Sequence, residues 1–226
     1  MKKNMMMRIA SVLLIAVLMS TSAISGTYAK YVTSGKGEDI ARVAKFGVKV
    51  EAFDGMFDTE YVTHETDYVA TIGAKSVVSS DGNNLVAPGT SGKMTEIQIS
   101  GTPEVAVRVN YEVTNIEIEG WVDAENAYYC PIIIDVCGTK LNGLDYTSAD
   151  AFEAAIAGLV AGYTKSYAAL QDLSAVQGDN MDISWEWPFS TSDANDVKDT
   201  FLGDAAANDN AATIELTVTA TVTQID

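Results

Sequence analysis

Apolar residues alternate with polar ones over three long stretches of this chain, and this period of two limits its fold more than any other feature. The stretches are 44–52, 105–113 and 214–222. Successive side chains of a β-strand point to opposite faces, so the pattern is typical of strands with one face in a core and the other in water. All three stretches are therefore predicted to be half-buried β-strands.

Further strand-like segments are separated by turn-forming residues at short intervals. The additional predicted strands are 68–72, 75–79, 94–100, 116–121, 129–137 and 181–187. Breakers rich in Gly, Pro, Asp and Asn lie between them, at 81–84, 87–89, 101–103 and 138–139. Many short strands with turn chemistry between them indicate an all-β domain, either a sandwich or a barrel.

One segment has helical periodicity instead. Thr147 or Ser148 is a suitable N-cap, and Gly162 is the expected end. The apolar stripe between them consists of Phe152, Ile156, Leu159 and Val160. We expect this one helix to lie across an edge or end of the β-domain. A second, short helix is expected within 193–202, followed by a loop at 205–212.

The N-terminus has the parts of a secretory signal peptide. Lys2, Lys3 and Arg8 form a positive segment, residues 9–19 form an apolar one, and small residues follow. The apolar segment has 11 residues, which is too few to cross a bilayer core of about 30 Å as a helix. The mature protein is therefore expected to be secreted.

Two cleavage sites compete after the apolar segment. Ala23 ends the motif Thr-Ser-Ala at the usual distance, and Ala29 ends Thr-Tyr-Ala immediately before Lys30. A resemblance described below favours the second site. The predicted divisions of the chain are 1–29 as signal peptide, 30–41 as N-terminal segment and 42–226 as β-sandwich domain. No lipoprotein cysteine or wall-anchor signal is recognisable, so we expect no stable membrane anchor.

The chain is strongly acidic, with a formal net charge of −17. Loss of residues 1–29 removes three basic residues and no acidic one, which changes −17 to −20. This charge repels nucleic acid and anionic lipid, so neither is an expected partner. A solvated acidic surface is the simplest interpretation. A structural calcium ion remains an alternative, although two aspartate groups lack EF-hand spacing: Asp54 and Asp58, and Asp193, Asp196 and Asp199.

The two cysteines, Cys130 and Cys137, lie in one apolar run that is predicted to be a strand. Their spacing corresponds to about 23 Å of strand, and an odd spacing points the side chains to opposite faces. A disulfide needs Cα atoms within about 7 Å of each other. Both cysteines are therefore predicted to be free thiols, buried or half-buried.

The sequence contains no recognisable catalytic constellation. His64 is the only histidine, and Glu65 after it is not followed by the second histidine that a His-Glu-x-x-His zinc site requires. A glycine-rich phosphate loop is also absent from the sequence. We therefore do not expect an enzyme, and we predict no cofactor.

One predicted strand carries two tryptophans, Trp185 and Trp187, on the same face. Two interpretations remain open. The rings would form a sugar-stacking platform if that face were exposed, or they would anchor the core if it were buried. The apolar neighbours Met181 and Ile183 on the same face favour the core. Trp121 is a third candidate for sugar binding.

Six short segments at both ends and in the middle of the chain form a recognisable set. They are 26–31 (GTYAKY), 41–46 (ARVAKF), 85–89 (LVAPG), 185–189 (WEWPF), 199–203 (DTFLG) and 223–225 (TQI). The set resembles the exported TasA/camelysin-like proteins of Firmicutes, which the SipW type of signal peptidase processes. The resemblance implies a jelly-roll β-sandwich that is cleaved after Ala29 and assembles into extracellular fibres or surface layers of a biofilm matrix. The camelysin name implies metallopeptidase activity, for which this chain lacks the zinc motif.

The segment after the expected cleavage site is a candidate donor strand. Its β-prone residues are Lys30, Tyr31, Val32, Thr33 and Ser34, and the glycine-containing segment 35–37 separates them from the first alternating strand. A strand on a glycine hinge suits donor-strand exchange, in which main-chain hydrogen bonds join an extended segment to a neighbouring subunit. A frayed N-terminus is the default alternative, and the resemblance favours donation.

These observations together predict a secreted structural protein that self-assembles into a homopolymer, with other matrix proteins or polysaccharide as further partners. Two alternatives remain. One is a carbohydrate-binding surface adhesin that uses Trp121, Trp185 or Trp187. The other is a camelysin-like metallopeptidase.

Overall fold

Antiparallel β-strands make up most of the regular structure. The computed structural model describes residues 42–53, 57–61, 76–189 and 192–225, and one compact unit spans Ala44–Asp226. The strands are β1 (Val48–Phe53), β2 (Glu60–Tyr61), β3 (Val77–Val78), β4 (Thr90–Gly101), β5 (Val107–Glu119), β6 (Ile133–Val136), β7 (Thr139–Asn142), β8 (Lys165–Tyr167), β9 (Met181–Trp187) and β10 (Thr213–Gln224). The helices are α1 (Ala149–Gly162) and α2 (Asp193–Ala207).

The strands form two larger sheets and one short hairpin. The first sheet has five strands in the order β1-β4-β9-β6-β7, and the second has three in the order β10-β5-β8. The two-residue strands β2 and β3 pair only with each other among the described residues. Every pairing between these strands is antiparallel, so the all-β character predicted from the alternation is confirmed.

Both sheets and both helices contribute to one hydrophobic core. In β9 every second side chain is buried, from Met181 to Trp187, and in β5 the buried side chains include Val107, Val109 and Tyr111. These residues belong to a single cluster. The period of two in the sequence therefore corresponds to burial of alternate side chains from both sheets.

Helix α1 begins and ends where the sequence predicts. The hydroxyl oxygen of its N-cap, Ser148, accepts a hydrogen bond from the backbone N–H of Ala151 at 3.2 Å. The buried stripe is Phe152, Ile156 and Val160. The helix contacts β5 of one sheet and β6 of the other. Its buried stripe therefore belongs to the same core as the side chains of both sheets.

Some predicted boundaries were wrong. The fold prediction named one helix and expected a second, short one within 193–202; α2 is this second helix, and it continues to Ala207, into the segment 205–212 that was predicted to be a loop. The segment 116–121 is not a separate strand, because β5 runs on to Glu119. The stretch 44–52 becomes a strand only from Val48, since the preceding Gly47 has a φ of +54°, which an extended strand does not adopt.

The strand predicted at 129–137 is also shorter, because β6 covers only Ile133–Val136. Cys137 and Gly138 have φ values of +50° and +88° and form the tight turn into β7. Both cysteines are nevertheless free, with Cys130 buried and Cys137 half-buried. The prediction of two free thiols is therefore confirmed, although the single strand assumed for it is not.

Candidate functional site

Strand β10 forms an edge of the three-stranded sheet. Among the described residues it pairs on one side only, with β5, from Thr213 to Gln224. Its 12 residues correspond to about 40 Å of extended backbone. We call the unpaired side of β10 the open edge. Such an edge presents a row of backbone N–H and C=O groups to any extended chain that approaches it.

The core-facing side chains of β10 are only half-buried. They are Ile214, Leu216, Val218, Ala220 and Val222. Directly opposite on the central strand β5, Val109 pairs with Val222 and is fully buried. The difference arises because β5 has neighbours on both sides and β10 has one. A further strand beside β10 would cover this apolar row.

The hydrogen-bonding direction of β10 follows from one contact at its end. The N–H of Ile225 donates to the carbonyl oxygen of Ala106 at 2.9 Å, on the β5 side. Backbone groups alternate in direction along a strand, and the pairing with β5 is regular from Val218 onward. The N–H groups of Val222 and Ala220 therefore point to the open edge.

The open edge is long and carries no Lys or Pro, although its pairing with β5 shifts in register between Thr217 and Val218. Natural edges are short, or carry Lys, Pro or bulges. The other sheet edges follow this rule: β7 and β8 have four and three residues with Lys140 and Lys165, and β1 contains Lys49. In contrast, β10 has Glu215 as its single charged residue and no proline. Its sequence therefore does not oppose addition of a strand.

The edge strand β1 of the five-stranded sheet is less covered than its neighbour β4. Strand β10 contacts β4, and α1 contacts β5 and β6. Within the five-stranded sheet, Val50 of β1 pairs with Ile99 of β4 and shares its face. Ile99 is 3 % exposed and Val50 is 39 % exposed. The apolar face of β1 is therefore less buried than that of β4.

The tryptophans named as a sugar platform are core residues. Trp121, Trp185 and Trp187 are 2 %, 2 % and 5 % exposed. The Trp185 ring packs against Phe57 with 5.4 Å between ring centroids, and Trp187 packs edge-on against Trp121 at 5.2 Å. Neither Trp185 nor Trp187 presents a ring face to solvent, so the aromatic platform has no structural basis at these positions.

Several residues and segments that the sequence predictions name lie outside the described part of the chain. These are the cleavage site Ala29 and Lys30, the donor segment Lys30, Tyr31, Val32, Thr33 and Ser34, the single histidine His64, the calcium candidate Asp54 and the predicted strand 68–72. Within the ranges that the structure describes, His, Cys, Asp and Glu residues form no group of three that is placed to hold a metal ion.

A buried carboxyl group is one feature that the sequence did not reveal. Asp199, in α2, is 9 % exposed, and its Oδ1 accepts a hydrogen bond from the Tyr129 hydroxyl at 2.8 Å. The two residues are 70 positions apart, so no local pattern indicates the contact. The edge position of β10 was likewise invisible, since alternation predicts a strand but not its neighbours.

Comparison with known proteins adds no assignment: no protein family, curated protein or solved structure matches this chain. In the described ranges, no helix has the length and apolar character needed to span a membrane.

Proposed function

We propose that this protein is an exported structural subunit that polymerises into extracellular fibres or a surface layer of a biofilm matrix. Its two sheets form a jelly-roll-like β-sandwich in this proposal. The N-terminal residues Lys30 to Ser34 of one subunit pair with the open edge of the next. The observation that carries the proposal is the open edge itself, which is long, nearly uncharged and bordered by a half-buried apolar row.

The donor residues are shorter than the open edge. Residues 30–34 are five residues, or about 17 Å of extended chain, whereas β10 has 12 residues, or about 40 Å. Main-chain hydrogen bonds would supply the affinity, and alternate side chains of the donor residues would cover part of the apolar row of β10. Gly35 and Gly37 would allow the segment to leave its own subunit, because glycine adopts backbone conformations that other residues avoid.

The sequence supports the same proposal from a different direction. The signal-peptide pattern supports export, and the six short segments that resemble TasA/camelysin-like proteins support assembly outside the cell. The proposal includes no catalytic role and no cofactor. Its partners are copies of the same chain, with matrix proteins or polysaccharide as further partners.

Deletion of the donor segment tests the mechanism. The chain beginning at Lys30 should form filaments visible by negative-stain electron microscopy. The chain beginning at Glu38 lacks residues 30–37 and should remain folded by circular dichroism but form no filaments. Addition of a synthetic 30–37 peptide to the shorter chain should give binding of one peptide per chain without filaments, because the peptide occupies the edge but carries no sandwich.

The outcomes separate the mechanism from the function. If the shorter chain forms filaments as readily as the longer one, strand donation by residues 30–37 is wrong and lateral contacts hold the subunits together. If the chain beginning at Lys30 forms no filaments or layers over a range of concentration and salt, the structural function itself is wrong.

A further inference from the structure

A cleft of about 460 Å³ opens between α2, the 83–88 loop and the ends of β9 and β10. Most of its walls are apolar. The apolar residues that line it include Leu85, Val86, Pro88, Trp121, Trp187 and Leu202. Small-molecule sites in proteins are typically concave, largely apolar and about 300–1,000 Å³ in volume, with a few polar groups that orient the ligand. The cleft has these properties.

One carboxyl group lies in the wall of this cleft. Asp199 lines it and is 9 % exposed. The Tyr129 hydroxyl donates to Asp199 Oδ1, and Oδ2 accepts no hydrogen bond from the described residues. The adjacent Lys198 does not neutralise Asp199, because its Nζ bonds to Asp123 Oδ2 at 2.9 Å. In the described part of the chain, Asp199 therefore has no cationic partner.

The cleft imposes an electrostatic cost on this carboxylate. Burial raises the pKa of Asp199, and the Tyr129 hydroxyl opposes the rise by donating a hydrogen bond. The indole N–H of Trp187 also lowers this pKa, although its geometry is not that of a hydrogen bond and it is buried without a partner among the described residues. A buried charge is costly unless it is paired, so a ligand that brings a positive charge gains most from this site.

We propose that the cleft binds a small organic ammonium ion, with Asp199 as its counter-ion and the apolar walls around its hydrocarbon chain. A divalent metal is a poor match, because calcium takes six to eight oxygen ligands and one carboxylate is present. The Asp199 carboxylate would repel an anion. A guanidinium prefers a carboxylate with both oxygens available, whereas the Tyr129 hydroxyl already binds Oδ1. An ammonium group needs only the remaining oxygen.

Binding of n-pentylammonium chloride to the purified protein, measured by isothermal titration calorimetry, tests the proposal. Saturable binding of one ion per chain is expected, with weaker binding of 1-pentanol and no binding of pentanoate. Asp199→Asn keeps the shape of the side chain and still accepts from Tyr129, yet it should weaken pentylammonium binding by about tenfold or more, as for other hydrogen bonds to charged groups. Binding of 1-pentanol should not change.

Two further variants control for charge and for the open volume of the cleft. Asp196→Asn removes a nearby carboxylate that does not line the cleft and should change affinity by less than about threefold. Gly203 lines the cleft, and a Cβ built there meets no heavy atom within 4 Å. Gly203→Phe should therefore fill the cleft and abolish binding without altering Asp199.

The result that would overturn the proposal is equal affinity of the wild type and Asp199→Asn for pentylammonium, since the cleft would then be only hydrophobic. Absence of saturable binding, or binding that survives Gly203→Phe, would also overturn it. The site does not depend on polymerisation, and filament formation is a separate measurement.

Discussion

At the scale of single residues, Asp199 is a charged group held in an apolar wall. Its pKa is raised in the folded protein from the ordinary value of 3.8, chiefly by burial. Well below pH 3.8 the Asp199 carboxyl is protonated in both the folded and the unfolded state, so it does not reduce the stability of the fold. As the pH rises, the unfolded state ionises first, so stability falls until the folded-state pKa is passed and remains reduced above it.

The first prediction follows from the raised pKa of Asp199 in the folded protein. Asp199→Asn removes the charge and should raise the free energy of unfolding at pH 7 relative to the wild type, while the difference should shrink towards zero below pH 3.8. Urea unfolding followed by tryptophan fluorescence at several pH values measures it. Asp196→Asn is the matched control for loss of one negative charge from α2. A wild type that is more stable than Asp199→Asn at pH 7, with the gap closing in acid, would contradict the prediction.

The second prediction concerns the two thiols. Burial raises the pKa of Cys130 to about 12, so this thiol should not react in the folded protein at neutral pH, because the thiolate is the reactive form. Thiol titration under denaturing, non-reducing conditions should give two free thiols per chain. In the native state the Cys130→Ser variant should show the same thiol reactivity as the wild type. A count of zero free thiols after denaturation would show a disulfide. It would contradict both the expected count of two and the unreactive thiol at Cys130.

At the scale of secondary-structure elements, β10 has two dissimilar sides. One side is paired with β5 along its whole length, and the other is the open edge. The N–H of Ala220 points to the open edge, so it contributes to no hydrogen bond with β5. This position therefore allows the edge to be blocked without breaking the sheet.

The third prediction is that Ala220→Pro prevents filament formation while the monomer remains folded. Proline removes a donor that only an incoming strand would use, and it is tolerated at edge strands for that reason. Ala220→Val is the matched control, because it keeps the N–H group and should still form filaments. Circular dichroism measures folding and electron microscopy measures assembly. Filaments from a folded Ala220→Pro variant would show that the open edge of β10 is not the acceptor.

At the scale of the whole molecule, the strong negative charge and the proposed export have a common consequence. Removal of the proposed signal peptide would take the formal net charge from −17 to −20, since residues 1–29 contain three basic residues and no acidic one. Such a charge favours solubility and opposes close approach of subunits. Polymerisation under these conditions requires a specific contact, such as strand pairing, rather than unspecific attraction.

The fourth prediction is that the mature chain begins at Lys30. Cleavage after Thr27-Tyr28-Ala29 would leave the complete donor segment at the N-terminus. Intact mass of the protein from culture medium decides between this product and the chain that begins at Ile24. A start at Ile24 would weaken the resemblance to SipW-processed proteins and would place six further residues before the donor segment.

The sequence by itself determined the features that depend on neighbouring residues. Strand β9 was predicted with its observed ends, and α1 begins after its predicted N-cap Ser148, because side-chain period and capping are local properties. The tertiary structure decided which strands are neighbours. The contact between Thr114 and Thr219 joins residues 105 positions apart, and the bond from Tyr129 to Asp199 spans 70. The open edge and the cleft carboxylate both result from such long-range packing, which no local pattern encodes.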